Sequence, residues 1–385
     1  MKHIKLTLSC LAAAALLTAC GGDDGKIQFT QVVTFGDSIS DTGTYQVGTI
    51  AQLGGGKFSV NGTATKVWSD ALATSLGAPA QCAAQTGMLP NNGVTGAAVV
   101  NVAACNNYAQ GSSRVTEVGS GPRGVALQKA FNEKNLGLMA DSIQNQINRH
   151  LTKATTFGPN DLVTVNGGGN DFFMQLGAVG AAAGGGAAAA GTATVAGWPA
   201  NTISIVSAGG GAAATAAAGA AVTAMGQAGA ELASYVKTLI VAKGARYVVV
   251  RNLGDLNATP LGAAFDANTK FLSTALTTTF NAQLKQGLAG VAGVIYFDDY
   301  ARGQAAIANP ATSGYSNITS AACGPDAFSA QGETIGNSII CNVNTLIKGD
   351  TSKYLFADTV HPTPYAHQDA ANYTVTLMRN AGWNF

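Results

Sequence analysis

Four short apolar runs constrain this chain more than any other feature: Gln31–Phe35, Asp161–Val165, Ala245–Arg251 and Gly293–Phe297. They are rich in Val and Ile and lack the in–out alternation of a strand with one wet face. Strands buried on both faces read this way, and they belong to parallel sheets covered by helices on each side. Ala97–Ala103 is a fifth candidate. Between the runs lie helical patterns at Thr65–Leu76, Leu136–Leu151, Ala220–Ala242, Asn268–Leu288 and Pro364–Asn380. The last has Thr363 placed to cap it and Pro364 at its first position. Such alternation predicts a doubly wound α/β fold with a mostly parallel central sheet, and no linker divides residues 30–385 into two domains.

One stretch breaks the pattern. Phe172 to Ala230 contains no Asp, Glu, Lys or Arg in 59 residues and is largely Ala and Gly. So much Gly and Ala supplies little transfer energy, so a membrane-spanning helix is not expected. We read Gly177–Gly210 as an irregular loop within an Ala/Gly-rich insertion at about 177–219, with the remainder starting the next helix. A mobile apolar lid or acyl-chain contact, and a low-complexity insertion without a role, are all compatible with that composition.

The N-terminus indicates export. Met1–Lys5 carries two lysines, Leu6–Leu17 is almost wholly apolar, and small residues follow, which is the order of a secretory signal. The apolar run is too short to span a bilayer. Leu17-Thr18-Ala19-Cys20 resembles the bacterial lipoprotein box, which implies residues 1–19 as signal, lipidated Cys20 as the new N-terminus, and 20–29 as a tether. Gly21, rather than Asp, follows the Cys, so an outer-membrane lipoprotein facing the periplasm or cell surface is expected, with simple secretion as the alternative. Processing removes Lys2 and Lys5, turning the net charge of +1 into −1. An acyl anchor, not a basic surface, would then be the membrane contact. That charge balance also argues against a nucleic-acid partner.

Of six cysteines, Cys10 falls in the signal and Cys20 at the lipid site, leaving Cys82, Cys105, Cys323 and Cys341. None forms a C-x-x-C pair of the kind used for zinc or redox work. Local pairing, Cys82 with Cys105 and Cys323 with Cys341, would close loops of modest length, although four cysteines permit three pairings and free thiols are a further alternative.

Candidate chemistry gathers at strand ends. Gln31–Phe35 runs into Gly36-Asp37-Ser38-Ile39-Ser40-Asp41-Thr42-Gly43, placing Ser38 at the carboxyl edge of the sheet, where open α/β sheets bind ligands. Four histidines are present, and His3 leaves with the signal. His150 ends a polar helix and reads as a surface residue, and His367 as a solvent or supporting group. His361 lies in Asp358-Thr359-Val360-His361-Pro362, where a carboxylate three residues upstream can reach Nδ1 and leave Nε2 free for a serine. Asp161–Val165 leads to Gly167-Gly168-Gly169-Asn170-Asp171, and Asn106-Asn107-Tyr108-Ala109-Gln110-Gly111-Ser112 offers a further glycine turn; both can supply oxyanion donors. No Gly-x-Ser-x-Gly elbow occurs. Ser234-Tyr235-Val236-Lys237 reads as helix surface and Asp298-Asp299 as a strand-end turn, so neither a metal nor a cofactor is expected.

These four blocks in this order resemble the SGNH or GDSL hydrolase superfamily. Phe35–Gly43, Asn107-Tyr108-Ala109 and His361-Pro362-Thr363 look like its phosphatidylcholine-sterol acyltransferase, haemolysin and outer-membrane esterase branch. The resemblance implies a three-layer α/β/α sandwich with a flavodoxin-like sheet. It also implies Ser38 as nucleophile, His361 as base, Asp358 as its orienting partner, and Ser38 N–H, Gly111 N–H and the Asn170 side chain as oxyanion donors. Members of the branch often carry Gly-Gly where Gly111-Ser112 stands. No membrane barrel follows the last block, so the expected form is lipid-anchored. The implied activity is hydrolysis of acyl esters or lipids through an acyl-serine. Acyl transfer to an alcohol and deacetylation of polysaccharide are alternatives at the same site, and a non-catalytic surface-binding lipoprotein is the reading from another class.

Overall fold

Alternate residues of the buried strands face opposite ways, and this divides the core into two layers. The computed structural model describes residues 26–90, 94–116 and 140–385. Residues 1–25, with Cys20 and most of the tether, lie outside them, as does the start of the expected helix at Leu136. In chain order the strands are β1 (Gln31–Phe35), β2 (Gln85–Met88), β3 (Ala97–Asn101), β4 (Asp161–Asn166), β5 (Tyr247–Arg251), β6 (Val294–Phe297), β7 (Asn317–Ala321) and β8 (Tyr354–Phe356). The longer helices are α1 (Trp68–Ser75), α2 (Ile143–Ala154), α3 (Gly169–Ala182), α4 (Gly186–Ala196), α5 (Ala200–Ala208), α6 (Gly210–Tyr235), α7 (Ala267–Leu288), α8 (Asp299–Ala308) and α9 (Pro364–Asn380).

β1, β4, β5 and β6 form a four-stranded parallel sheet in the order β1-β4-β5-β6, with Val33 opposite Val163 and Val163 opposite Val248. Val33, Phe35, Val163, Val165, Val248 and Val250 pack with Ile143, Ile147, Leu232 and Phe280 of α2, α6 and α7. On the opposite face Val32, Leu162, Val249 and Phe297 meet Trp68 and Leu72 of α1 and Ala371 and Met378 of α9. The result is the doubly wound α/β fold expected from the run pattern, and the α/β/α sandwich that the resemblance implies. Beyond β1, Thr34 bridges Asn107 in parallel, bringing the 106–112 turn to the same carboxyl edge. The Ala97–Ala103 run does not join this sheet. Its residues 97–101 pair antiparallel with β2, and all five are exposed.

The Ala/Gly-rich insertion is helical, which corrects the irregular loop expected at Gly177–Gly210. Ala is the strongest helix former, and some of the glycines fall where helices end while others, such as Gly191 and Gly219, lie inside them. Gly197 closes α4 at φ +82° and Gly209 lies between α5 and α6 at φ +76°. Inside α6, small residues permit close packing: a Cβ at Gly229 would stand 2.3 Å from the Phe280 carbonyl oxygen. Ala213, Ala217 and Ala221 form a buried stripe at helical spacing. The Trp198 indole donates to Gln175 Oε1 at 2.6 Å, and Gln175 Nε2 donates to the Ala196 carbonyl at 2.8 Å, tying the α4–α5 junction to α3. Among the described residues no helix is long and apolar enough to cross a membrane.

Cysteines pair locally, Cys82 with Cys105 and Cys323 with Cys341, the first of the pairings open to the sequence.

His150 corrects a second expectation, being 1% exposed rather than at the surface. It completes the i, i+3, i+4, i+7 stripe Ile143, Gln146, Ile147, His150 on the inner face of α2. Its ring stacks on Phe157 at 4.5 Å, and Nδ1 lies 3.3 Å from the Tyr108 hydroxyl. Burial, then the nearby Lys153 charge, pushes its pKa down to about 4. An unfolded His takes a proton as pH falls through about 6.5, whereas the buried ring stays neutral until about 4, so stability is lost across that interval. His150→Phe is expected to flatten the acid-side loss by about 2 kcal/mol between pH 7 and pH 4 relative to wild type. Paired urea titrations measure the difference, and parallel pH curves for the two proteins would exclude it.

Candidate active site

Gly36 begins the site. A Cβ there would sit 2.1 Å from Asn166 Oδ1, so glycine leaves room for the Asn166 side chain to lie against the chain after β1. Gln146 of α2 clamps this turn, accepting from Gly36 N–H at 2.8 Å and donating to the Gly36 carbonyl at 2.9 Å. The same amide donates to Ser113 Oγ at 3.0 Å, so one buried side chain joins the turn of Ser38 to the 112–115 loop. Asp37 faces inward, accepting from Asn166 Nδ2 at 2.6 Å and from Ile39 N–H at 3.1 Å. Burial raises its pKa against those donors.

Ser38 is left at the cavity wall. Its Oγ lies 2.8 Å from His361 Nε2, and His361 Nδ1 lies 2.8 Å from Asp358 Oδ2. Asp358 is fixed within its own turn, Oδ1 accepting from Val360 N–H at 2.9 Å and His361 N–H at 2.7 Å. Burial alone would push this carboxyl up, but the His361 charge and the surrounding donors reverse that and hold it well below its ordinary value. Burial likewise would lower His361, yet the Asp358 charge and hydrogen bond, with Asp37 behind them, leave its pKa raised above 6.5. Phe58 packs on the imidazole with ring centroids 5.1 Å apart.

Asn170 stands in the first turn of α3, where the helix end favours negative charge. One hydrogen of its amide goes to the Ser113 carbonyl at 2.9 Å, and an amide carries two. Gly111 departs from the expected role. Its N–H donates to Asp41 Oδ2 at 3.0 Å, and the cavity is lined at that turn by Ser112, which sits in the left-handed region at φ +67°. Asp41 also accepts from Gly43 N–H at 3.0 Å and Thr44 N–H at 2.8 Å, and burial still pushes its pKa up to about 6. Thus Gly111 anchors the turn, and the Ser112 and Ser38 N–H groups find no acceptor among the described residues. These are the backbone donors available to an oxyanion.

A cavity of about 830 Å³ opens from Ser38, walled by Phe58, Phe173, Met174, Leu253, Leu256 and Ile335, with Arg251, Asp299 and Arg302 at one side. Arg251 pairs with Asp299 at 2.7 Å and Arg302 with Asp369, so that side is polar but already neutralised.

A sequence profile of GDSL-like lipases and acylhydrolases matches residues 32–374, most of the chain. The protein belongs to the GDSL lipase/acylhydrolase family. Two curated relatives, esterase EstA of Pseudomonas aeruginosa and esterase EstA of Pseudomonas putida, are each 27% identical over 402 aligned positions covering 99% of this chain. The alignment covers 52% of each relative, so the chain spans about half their length. A GDSL esterase/lipase of Arabidopsis thaliana is 36% identical over 97 residues, 25% of this chain and 23% of that protein.

Within this GDSL fold the expected Ser38, Asp358, His361 and Asn170 converge, while Gly111 stays behind the cavity wall. His367 is fully buried, its Nδ1 accepting from Trp68 N–H at 3.1 Å; burial, Arg251 and His361 hold its pKa well below 6.5. Asp298 caps α8 by accepting from Ala301 N–H at 3.1 Å, consistent with a strand-end turn. Among the described residues no three His, Cys, Asp or Glu side chains cluster as a metal site. Sequence reasoning missed Gln146, Asn166, Arg114 and Ser338. Gln146 carried a signal, a polar residue on the buried stripe of α2; the others did not.

Proposed function

We propose that this protein is a serine esterase or lipase that hydrolyses carboxylic esters through an acyl-serine. The single observation that carries the reading is the unbroken line from Ser38 Oγ through His361 to Asp358, with 2.8 Å at each junction. Ser38 Oγ attacks the ester carbonyl while His361 Nε2 takes its proton, and Asp358 stabilises the imidazolium. The carbonyl oxygen, now an anion, receives the Ser38 and Ser112 N–H groups and the second Asn170 amide hydrogen. Collapse breaks the bond to the alcohol, which leaves with the proton held on Nε2. Water, deprotonated by the same nitrogen, then attacks the acyl-serine and releases the acid. The apolar walls suit an acyl chain, which excludes water from the reacting carbonyl.

A fluorophosphonate is expected to add once, at Ser38, and kcat/KM for p-nitrophenyl butyrate to fall as pH drops, with a midpoint above 6.5 because His361 must be neutral to act as base. Labelling at another residue, or a flat profile from pH 5 to 8, would sink the reading. Asn170→Ala is expected to lower kcat about 10²-fold with KM nearly unchanged, since its donor is used mainly in the transition state. Steady-state kinetics at saturating ester measure this.

The same proposal places the chain in the acyltransferase, haemolysin and outer-membrane esterase branch, as an exported lipoprotein anchored through Cys20, with residues 30–385 as one hydrolase domain. The signal-like residues 1–19, the extended Phe35–Gly43 block and two disulfides in the pattern of an oxidising compartment support it. Cys20→Ser is expected to move the protein from the membrane to the soluble fraction; unchanged fractionation would refute the anchor.

A further inference from the structure

We infer that Ser338 is a positioning residue of this triad, its hydroxyl and N–H together holding the Asp358–His361 pair in register. The inference rests on the esterase reading above. Ser338 has no exposed surface, and it approaches the pair from a segment distant in sequence from the Asp358 turn. Its N–H donates to Asp358 Oδ2 at 3.2 Å, the oxygen that faces the imidazole. Its Oγ lies 3.2 Å from His361 Nδ1, beside the 2.8 Å contact of that nitrogen with Asp358. The Nδ1 proton therefore has two acceptors, one charged and one neutral.

Ser338 is held in turn from behind. Asn61, itself buried, donates through Nδ2 to the Ser338 carbonyl at 2.9 Å and to the Cys341 carbonyl at 3.0 Å. Cys341, three positions along the chain from Ser338, is bonded to Cys323, and Ile339 and Ile340 pack in a cluster with Tyr45, Ile50 and Phe58. A hydroxyl fixed this firmly can favour one ring orientation over its alternatives.

The chemistry separates this role from simple packing. Nδ1 bears a proton both in the resting tautomer and in the imidazolium, but a charged ring donates more strongly. The Ser338 hydroxyl accordingly favours the cation that forms as Ser38 attacks, and contributes little to ester binding. Its removal should weaken His361 as a base and lower the pH at which the ring deprotonates. Other charged or titratable groups set against the ring are Asp358 on its own turn, Asp37 from the β1 turn and His367 from α9, with Arg251 and Lys57 acting on His367.

The test uses the full chain with p-nitrophenyl butyrate, comparing Ser338→Ala and Ser338→Thr with wild type, and running Ser38→Ala and His361→Ala in parallel. Ser338→Ala is expected to lower kcat about 10-fold with KM unchanged and to move the acid limb of kcat/KM down by about half a pH unit, as loss of one hydrogen bond to a charged group predicts. Ser338→Thr, which restores a hydroxyl, should recover most of both. Wild-type kinetics in Ser338→Ala overturn the inference. So does a loss of kcat with an unmoved acid limb and no recovery in the Thr variant, which is the pattern of a purely structural residue. If Ser338→Thr fails to fold, the limb of Ser338→Ala decides alone. Retained turnover in Ser38→Ala or His361→Ala would instead bring down the esterase reading itself, whatever Ser338 does.

Discussion

Ser38→Ala and His361→Ala are each expected to lower kcat by about 10⁴-fold or more, Ser38→Ala with an unfolding midpoint close to wild type and His361→Ala with a lower one. The size follows from the roles. Without the hydroxyl no acyl-enzyme forms, and without the imidazole neither the attack nor the water step has a base. The two losses should not add, because each removes the same covalent route, so Ser38→Ala/His361→Ala should be about as slow as either single variant. What survives is the contribution of the donors at Ser38, Ser112 and Asn170 and of the cavity. Folding should tolerate Ser38→Ala, whereas His361→Ala strands the buried Asp358 carboxylate and should lower the midpoint. Ser38 lies at the cavity wall and makes its side-chain contact with His361, while the turn itself is held by Gln146, Asn166 and Asp41. Ester turnover under saturating conditions, with urea unfolding on the same samples, separates chemistry from stability. Either variant retaining more than about a tenth of wild-type kcat would end the assignment.

The parts legible in the sequence are those where one residue type has one physical use. Apolar β-branched runs can be satisfied only by burial on both faces, so β1, β4, β5 and β6 were readable, and their carboxyl ends located Ser38 and Asn170. Asp358 and His361 were readable because three residues of one turn bring carboxylate and ring together without help from the rest of the fold. Ser338 has no such local mark. Its contacts span 20 and 23 positions and depend on a disulfide that sequence alone left as one of several pairings. Gly111 misled for a related reason: a glycine turn can offer its N–H to a substrate or to a neighbouring carboxylate, and only the placement of Asp41 decides. In the Ala/Gly stretch Ala favours helix and Gly opposes it, and their sum predicts neither state. Tertiary packing decides there, with glycines at α4 and α5 ends where positive φ is needed and inside α6 where Phe280 comes close. His150 reads as a surface group from its place at a helix end, but the stripe it shares with Ile143 and Ile147 on α2 marks it as buried.

Asp171→Ala should produce the largest loss of stability, about 3–5 kcal/mol, because it strands a buried cation. Arg114 Nε donates to Asp171 Oδ1 at 2.8 Å, and both side chains are almost fully buried. The second carboxylate oxygen accepts from Val115 N–H at 2.9 Å, so the variant also leaves a buried backbone donor unpaired. Arg114 reaches on to the Val195 carbonyl at 3.2 Å, which links the oxyanion loop to α4 of the Ala/Gly insertion. Loss of Asp171 should therefore release both Ser112–Val115 and the insertion, and turnover should fall further than the folded fraction alone would predict. An apolar pair of similar volume carries no such charge, so Arg114→Met/Asp171→Leu should recover at least half of the lost stability. It should not recover the activity, since Val115 N–H still lacks its carboxylate and the loop carrying Ser112 is no longer pinned. Urea unfolding of the two variants with ester kinetics on the folded fraction tests this. A penalty below about 1 kcal/mol in Asp171→Ala would mean that water reaches the pair and that the loop is held by other contacts.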